Sequence, residues 1–166
     1  MSVSTVILTY NCIEQVRELL PNVEWCDGVV IVDSQSSDGT REYARKNGAK
    51  VVDVPQVEPD ESFDHFRQQG VDAADNEWIL SLDADEWVPD TLQEELISHT
   101  ERNEPADIVE AARINYLGDR KMQGAGQWPD YGSTLFRRDA IRFQPIPHRF
   151  ANYQSDSVRR LPAIFA

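Results

Sequence analysis

The chain has 166 residues, with 29 Asp and Glu against 16 Lys and Arg, a formal net charge of −13, and 40% apolar residues. That is the length of one domain with material for a core, read here as residues 1–166 with a segment of different character starting near 117. The charge excludes a general nucleic-acid surface, which needs basic patches, and no stretch approaches the ~20 apolar residues of a membrane span.

Residues 3–8 (V-S-T-V-I-L) are apolar and β-branched and predict a first strand. Thr9, Tyr10 and Asn11 follow at its carboxyl end, where Asn11 is placed to cap a helix with the stripe Ile13, Val16, Leu19, Leu20, ending at Pro21. Tyr10 either covers the core or offers a ring to a base or ribose; spacing does not separate the two. Residues 28–33 (G-V-V-I-V-D) predict a second strand ending in Asp33, then a polar loop and a helix to about Asn47 closed by Gly48. A carboxylate at a strand's carboxyl end can accept from ribose hydroxyls or a base N–H. The alternative, helix capping, suits Asp38 better than Asp33. Residues 50–54 predict a short third strand, 58–61 a loop, and 62–74 a helix with Phe63, Phe66, Val71 and Ala74 inward. Arg67 on that helix is either a bidentate phosphate ligand or a surface arginine.

Residues 78–86 read W-I-L-S-L-D-A-D-E, an apolar run that breaks into acid. The run has the length and flanks of a strand buried on both faces. Carboxylates gathered at its end repel one another unless a cation or water screens them. Asp83 and Asp85, two residues apart, can approach one hard cation from the same side. Open α/β sheets bind ligands at the carboxyl ends of their strands, so these two predict a divalent-metal and nucleotide site. The alternative is a solvated acidic turn opening the next helix.

Pro89 and Asp90 open a helix to about Thr100 with Leu92, Leu96 and Ile97 as its apolar face, and residues 108–116 predict a further strand. The β-α alternation predicts an α/β domain with a mostly parallel sheet flanked by helices. Residues 117–128 are Gly-rich and irregular, in the manner of a loop over a site. After them come Asp130 and Tyr131, Leu135 to Arg138, and a Pro-rich turn holding His148. A lone His in such a turn is more often a structural hydrogen-bonder than a ligand. Cys12 and Cys26 make neither a disulfide framework nor a metal site, and no basic-then-apolar leader opens the chain. A cytoplasmic location is the expectation. The dispersed acid fits a surface adapted to high salt, and equally an ordinary acidic protein.

Taken together, I-L-T-Y-N (7–11), V-D-S-Q-S-S-D-G-T (32–40), W-I-L-S-L-D-A-D-E (78–86), P-D-Y (129–131) and L-F-R-R (135–138) resemble family 2 glycosyltransferases of the GT-A fold, specifically the group similar to lipopolysaccharide-core glycosyltransferases. The resemblance covers about residues 1–150. It implies a nucleotide-diphospho-sugar donor, inversion at the anomeric carbon, and a glycan or lipid-linked acceptor, with peripheral contact at the inner face of the membrane. It implies that Thr9, Tyr10 and Asp33 surround base and ribose, that Arg67 reaches the donor, and that Asp83 and Asp85 are the D-x-D carboxylates binding ribose and the metal–diphosphate. His148 falls where such enzymes often complete the metal shell. The chain departs from the group in having Arg149 where H-E is common, Gly132 and Thr134 where Gln and Arg are common, and Gln68 in place of an Asn.

The chemistry these residues predict is an Mg²⁺ or Mn²⁺ on Asp85 clamping the diphosphate, with Arg67, Arg137 or Arg138 adding positive charge. A carboxylate takes the acceptor's proton. Asp130 is the expected base, with Glu86 and Asp139 as alternatives. A competing class is a GT-A domain that binds a nucleotide-sugar or a protein without catalysis.

Overall fold

The computed structural model describes residues 2–56, 66–102, 104–118, 120–122, 130–144 and 151–162. Strands and helices alternate first: β1 (Val3–Thr9), α1 (Ile13–Asn22), β2 (Gly28–Asp33), α2 (Thr40–Lys46), β3 (Lys50–Asp53), α3 (Arg67–Ala73), β4 (Trp78–Asp83), α4 (Asp90–Glu101) and β5 (Ile108–Arg113). Short strands follow: the hairpin β6 (Tyr116–Leu117) and β7 (Arg120–Lys121), the longer β8 (Asp130–Arg137), the pair β9 (Ile141–Phe143) and β10 (Ala151–Tyr153), and β11 (Val158–Arg160).

Among the described residues, seven strands make one sheet in the order β11-β5-β8-β4-β1-β2-β3. β8 is antiparallel to both neighbours and the other pairings are parallel. The sheet is thus mostly parallel, as expected from sequence. Side chains alternate across it: β1 sends Val3 and Ile7 to one face, and Val6 and Leu8 to the other. The first face meets Leu19 of α1 and Leu92 and Leu96 of α4. The second meets Val71 of α3 and Ile141 of β9. Apolar cover on both faces is why these strands read as unbroken hydrophobic runs.

The winding creates the site. From β1 the chain steps outward to β2 and β3, then crosses to β4 on the other side of β1. The connections leaving β1 and β4 therefore part in opposite directions, and a crevice opens between their carboxyl ends.

Several local expectations shift. Pro21 lies inside α1, one residue before its end. Asn11 is not the cap: Cys12 holds that position, and Asn11 adopts a left-handed backbone with φ of 46°. Gly48 does close α2, with φ of 84°. The strand expected over 108–116 stops at Arg113, and part of the expected loop pairs as β6 and β7. β8 was not visible in the sequence pattern because its first half, D-Y-G-S-T, is polar and half-buried. Leu161, 1% exposed, docks the end of the described chain on the core.

Helix α3 comes unusually near the sheet. A β-carbon at Gly70 would stand 2.5 Å from Val6 Cγ1 and 2.6 Å from Val32 Cγ2. Both valines are buried and cannot withdraw. Overpacking of this kind costs ~1–3 kcal/mol, partly offset by roughly 0.5–1 kcal/mol of helix preference for Ala over Gly. Gly70→Ala is expected to destabilise by about 1–2 kcal/mol, seen as a lower urea midpoint at unchanged slope. A midpoint equal to or above wild type would show that α3 can lift without loss.

Candidate functional site

The acidic turn after β4 is the centre of the crevice. Asp83 ends the strand, and its backbone N–H donates to Glu86 Oε2 at 2.8 Å, which folds the turn back on itself. Arg67 reaches it from α3: one Nη donates to Ser81 Oγ at 2.9 Å and to the Leu82 carbonyl at 3.1 Å, and the other to Asp83 Oδ1. Arg67 is 5% exposed. Desolvating a guanidinium is costly unless its donors are filled, and here the strand end fills them. Arg67 is thus not a surface arginine; it holds the carboxylate of Asp83. Asp85 points outward, exposed, and makes no hydrogen bond or ion pair with another described residue.

A cavity of about 460 Å³ lies on the β1 side of this turn, lined by Tyr10, Cys12, Gln15, Asp83 and Asp85 among others. Next to Tyr10 and Cys12 of this cavity, the ends of β1 and β2 build a buried polar network. Thr9 and Asp33 are register partners. Thr9 Oγ1 donates to Asp33 Oδ2 at 2.8 Å, Ser36 Oγ donates to the same oxygen at 2.6 Å, and the Ser36 N–H donates to Oδ1 at 2.8 Å. Asp33 is 0% exposed, so its charge is held by these donors, with Arg41 Nε 3.6 Å away. Asn11 stitches the two loops, donating its N–H to Ser36 Oγ and accepting from the Ser37 N–H, both at 2.8 Å. Burial raises the thiol pKa of Cys12, so it is a poor nucleophile.

A second cavity of about 690 Å³ lies on the β5–β8 side, and it shares Asp83 and Asp85 with the first. Arg113, at the end of β5, reaches across it. Its guanidinium lies 3.3 Å from Glu86 and 3.7 Å from Asp130. A β-carbon at Gly132 would stand 2.4 Å from Arg113 Nη2, so the room left by a residue without a side chain is filled by this guanidinium. Burial pushes the Glu86 carboxyl up, against the Asp83 N–H and Arg113, which pull it down. Asp130 begins β8 and accepts from Asn115 Nδ2 at 3.4 Å. Nothing in the sequence marked Arg113, the last residue of an apolar strand.

Of the predicted site residues, the fold brings Tyr10, Asp83 and Asp85 to the cavity walls, sets Thr9, Asp33 and Arg67 directly behind them, and puts Asp130 at the far rim beside Arg113. His148 lies outside the described residues. Arg137, Arg138 and Asp139 do not join the site. β8 is antiparallel to β4, so Arg137 is opposite Trp78 at the amino end of β4. There Arg137 pairs with Glu77 and Asp107, Arg138 donates to the Asn76 carbonyl, and Asp139 faces Arg142.

Asp38 supplies the capping side chain for both helices. Oδ2 accepts from the Ile13 N–H at the start of α1 at 3.0 Å, and Oδ1 from the Thr40 N–H at the start of α2 at 3.0 Å. Slight burial works to raise its pKa, but the Thr40 hydroxyl and these N–H groups outweigh it and hold the carboxyl below its ordinary value of 3.8. A depressed native pKa contributes stability that is full above 3.8 and is lost as pH falls through the lowered value. Asp38→Asn is expected to cost about 1 kcal/mol near neutrality and to flatten the acid limb of stability against pH, measured by urea unfolding. An acid limb unchanged from wild type would remove Asp38 from this role.

Comparison with known proteins agrees with the topology. The family model described as glycosyl transferase family 2 matches residues 4–161. An uncharacterized glycosyltransferase of Rickettsia typhi is 31% identical over 126 residues, 73% of this chain and 41% of its own length. A TPR repeat-containing protein of Synechococcus elongatus is 35% identical over 145 residues, 81% of this chain and 32% of its own. The chain thus spans less than half the length of these curated relatives. Among solved structures, S. aureus TarS 1–349 superposes with a TM-score of 0.66 at 18% identity, over 97% of this chain and 58% of that one. Glucosyl-3-phosphoglycerate synthase from Mycobacterium tuberculosis, solved with Mn²⁺, UDP and phosphoglyceric acid, gives 0.53 at 20% identity, over 66% of this chain and 42% of that one. Both likenesses are of fold, the GT-A fold expected from the sequence motifs. With the matched segment running from β1 through β11, the chain belongs to glycosyl transferase family 2.

Proposed function

We propose that the protein transfers a glycosyl group from a nucleotide-diphospho-sugar to a glycan or lipid-linked acceptor, with inversion at the anomeric carbon and assistance from Mg²⁺ or Mn²⁺. One observation carries the reading: two cavities meet at Asp83 and Asp85, at the carboxyl end of β4 where the strand order reverses. The β1-side cavity suits base and ribose, with the exposed Tyr10 ring lining it and the buried Thr9–Asp33 pair fixing the strand end that carries Tyr10. The β5–β8 cavity suits the acceptor. A relative of the same fold, TarS, has been solved with UDP-GlcNAc, and the synthase above with UDP and Mn²⁺; both support a nucleotide-sugar donor.

The donor set fits a divalent cation shared with the donor. Among the described residues, no three His, Cys, Asp or Glu side chains form a metal site by themselves. Mg²⁺ is commonly held by one or two carboxylates plus substrate phosphates rather than by a protein cage. Asp85, exposed and without a partner among the described residues, supplies one such carboxylate, and by family resemblance His148 is the further protein ligand. When bound, the cation neutralises the diphosphate that leaves. Asp83, oriented by Arg67, faces the ribose hydroxyls. The acceptor oxygen attacks the anomeric carbon as the bond to the diphosphate oxygen breaks. The electron pair leaves with the nucleoside diphosphate, and the acceptor proton passes to Asp130, which Arg113 and Asn115 steer.

A binding module without catalysis is the second reading, favoured by Arg149 where the group commonly has Glu. Hydrolysis of the donor does not separate the two, because transferases leak to water; transfer to an added acceptor does. No helix among the described residues is long and apolar enough to cross a membrane, and we propose action in the cytoplasm with peripheral membrane contact.

Calorimetry with UDP, GDP and ADP, each with and without Mn²⁺ and at low and high salt, tests the donor site. One nucleotide is expected to bind in a metal-dependent way, and Asp85→Ala is expected to weaken it by on the order of 100-fold, about 2.7 kcal/mol. A folded protein that binds none of the three would overturn the donor reading.

A further inference from the structure

Away from the crevice, a titratable ring is buried in the last turn of α4. His99 is 1% exposed and packs edge-on against Trp78, with ring centroids 5.3 Å apart. Its Nε2 lies 3.0 Å from the Ala106 carbonyl, and its Nδ1 lies 3.3 Å from one Nη of Arg159 on β11. A guanidinium only donates. Nδ1 therefore accepts, and the ring proton is on Nε2, which donates to the Ala106 carbonyl. This is the geometry of a neutral imidazole with both nitrogens used.

The other Nη of Arg159 donates to Glu95 Oε1 at 2.5 Å. Glu95 and His99 are four residues apart and share one face of α4. Arg159 thus pins β11 to the helix through both. Its side chain keeps 37% exposure, which gives it a path to water. Arg160, next in the strand, pins the opposite face. Its guanidinium donates twice to Glu110 Oε2, at 2.8 and 2.6 Å, and lies 4.5 Å from the centre of the Tyr131 ring. Tyr131 follows Asp130 directly in β8.

A proton on Nδ1 is incompatible with this arrangement. It would aim an N–H at the Arg159 guanidinium with no acceptor between them, and set two cations in contact. Glu95 is the carboxylate placed to take the new charge, as a pair within α4, and the carbonyl end of the helix favours a positive ring. The other charges around the ring have partners of their own or face solvent. Arg137 of β8 lies over the Trp78 indole at 4.6 Å and pairs with Glu77 and Asp107. Asp107, at the start of β5, also accepts from Ser155. Glu101 and Arg102, at the end of α4, are exposed, and Glu104 gives its backbone N–H to the His99 carbonyl at 3.4 Å. Histidine is the side chain that ordinarily changes charge between about pH 5 and 8. The latched state requires the neutral ring, so its stability is complete above that window and is lost as pH falls through it.

We infer that Glu95, His99 and Arg159 form a pH-sensitive latch on β11. With His99 neutral, Arg159 holds β11 against α4. With His99 protonated, Glu95 pairs with the ring and Arg159 leaves for solvent. The freed strand then draws Arg160 off Tyr131 and loosens the end of β8 that carries Asp130. The latch operates whether or not the crevice transfers a sugar.

Hydrogen–deuterium exchange of the whole chain, read by mass spectrometry, is the test. Rates are corrected for the pH dependence of the exchange chemistry itself. In wild type, the peptide over residues 156–162 is expected to exchange about tenfold faster at about pH 5.5 than at about pH 7.5, equivalent to ~1.4 kcal/mol. The Leu161 N–H, which donates to the Glu110 carbonyl at 2.8 Å, is one reporter in it. The peptide over β2 is expected to stay unchanged. Carboxylates titrate near ~4, below this range. His99→Gln, which gains no proton, is expected to lose the rise. Arg159→Met, which removes the opposing cation, is expected to exchange faster at both pH values with no rise between them, and it decides the matter should His99→Gln not fold. A flat wild-type response would overturn the latch. So would a rise that survives in either folded variant, or one that β2 shares, which would mark unfolding of the whole domain.

Discussion

Carboxylates crowded at the end of a buried strand repel one another, and the architecture of this protein turns on how that repulsion is met. Unit charges ~5 Å apart at an effective dielectric of ~20 repel by about 3 kcal/mol. Two arginines from opposite sides absorb the cost. Arg67, rising from α3 beneath the sheet, takes Asp83; Arg113, from the end of β5, lies between Glu86 and Asp130. Asp85 is left facing both cavities without a described partner. The turn is therefore held at every carboxylate but Asp85.

The same economy governs the loops after β1 and β2. Asp33 is fully buried, and an unpaired carboxylate there would be untenable. Thr9 and Ser36 fill its oxygens, Asn11 ties the loops together, and Asp38 caps two helices at once. Asn11 and Gln35 accept left-handed backbone with φ of 46° and 60° to let this happen. Non-glycine residues in that region cost of order 1 kcal/mol or more and persist where surroundings over-determine them. Both lie just past the carboxyl ends of neighbouring strands, Asn11 after β1 and Gln35 after β2.

Both arginines also bear on how family departures are accommodated. The group often carries a Gln and an Arg just after P-D-Y, where this chain has Gly132 and Thr134. The space at Gly132 is occupied by the guanidinium of Arg113, arriving from a neighbouring strand. A cation is thus present at the second cavity by a different route, shared between Glu86 and Asp130.

Local pattern by itself determined the strands β1 to β5, the helices between them, and the D-x-D turn, because strands buried on both faces write continuous apolar runs and end in polar residues where ligands bind. It also identified Gly48 as a helix terminator, since a left-handed residue there is a local requirement. It did not reveal β8, whose polar first half gains its place only by pairing with β4 and β5. Nor did it separate Arg67 from Arg137 and Arg138 as partners for the acidic turn. All three are arginines near an acidic motif in sequence, yet antiparallel pairing carries Arg137 and Arg138 to the opposite end of β4, while the crossing of α3 buries Arg67 against Asp83. Which charges meet depends on strand direction and crossover, quantities that no local window of residues contains. That is why the motifs and core were legible in the chain, and why the committed and uncommitted charges of the site were decided by tertiary structure.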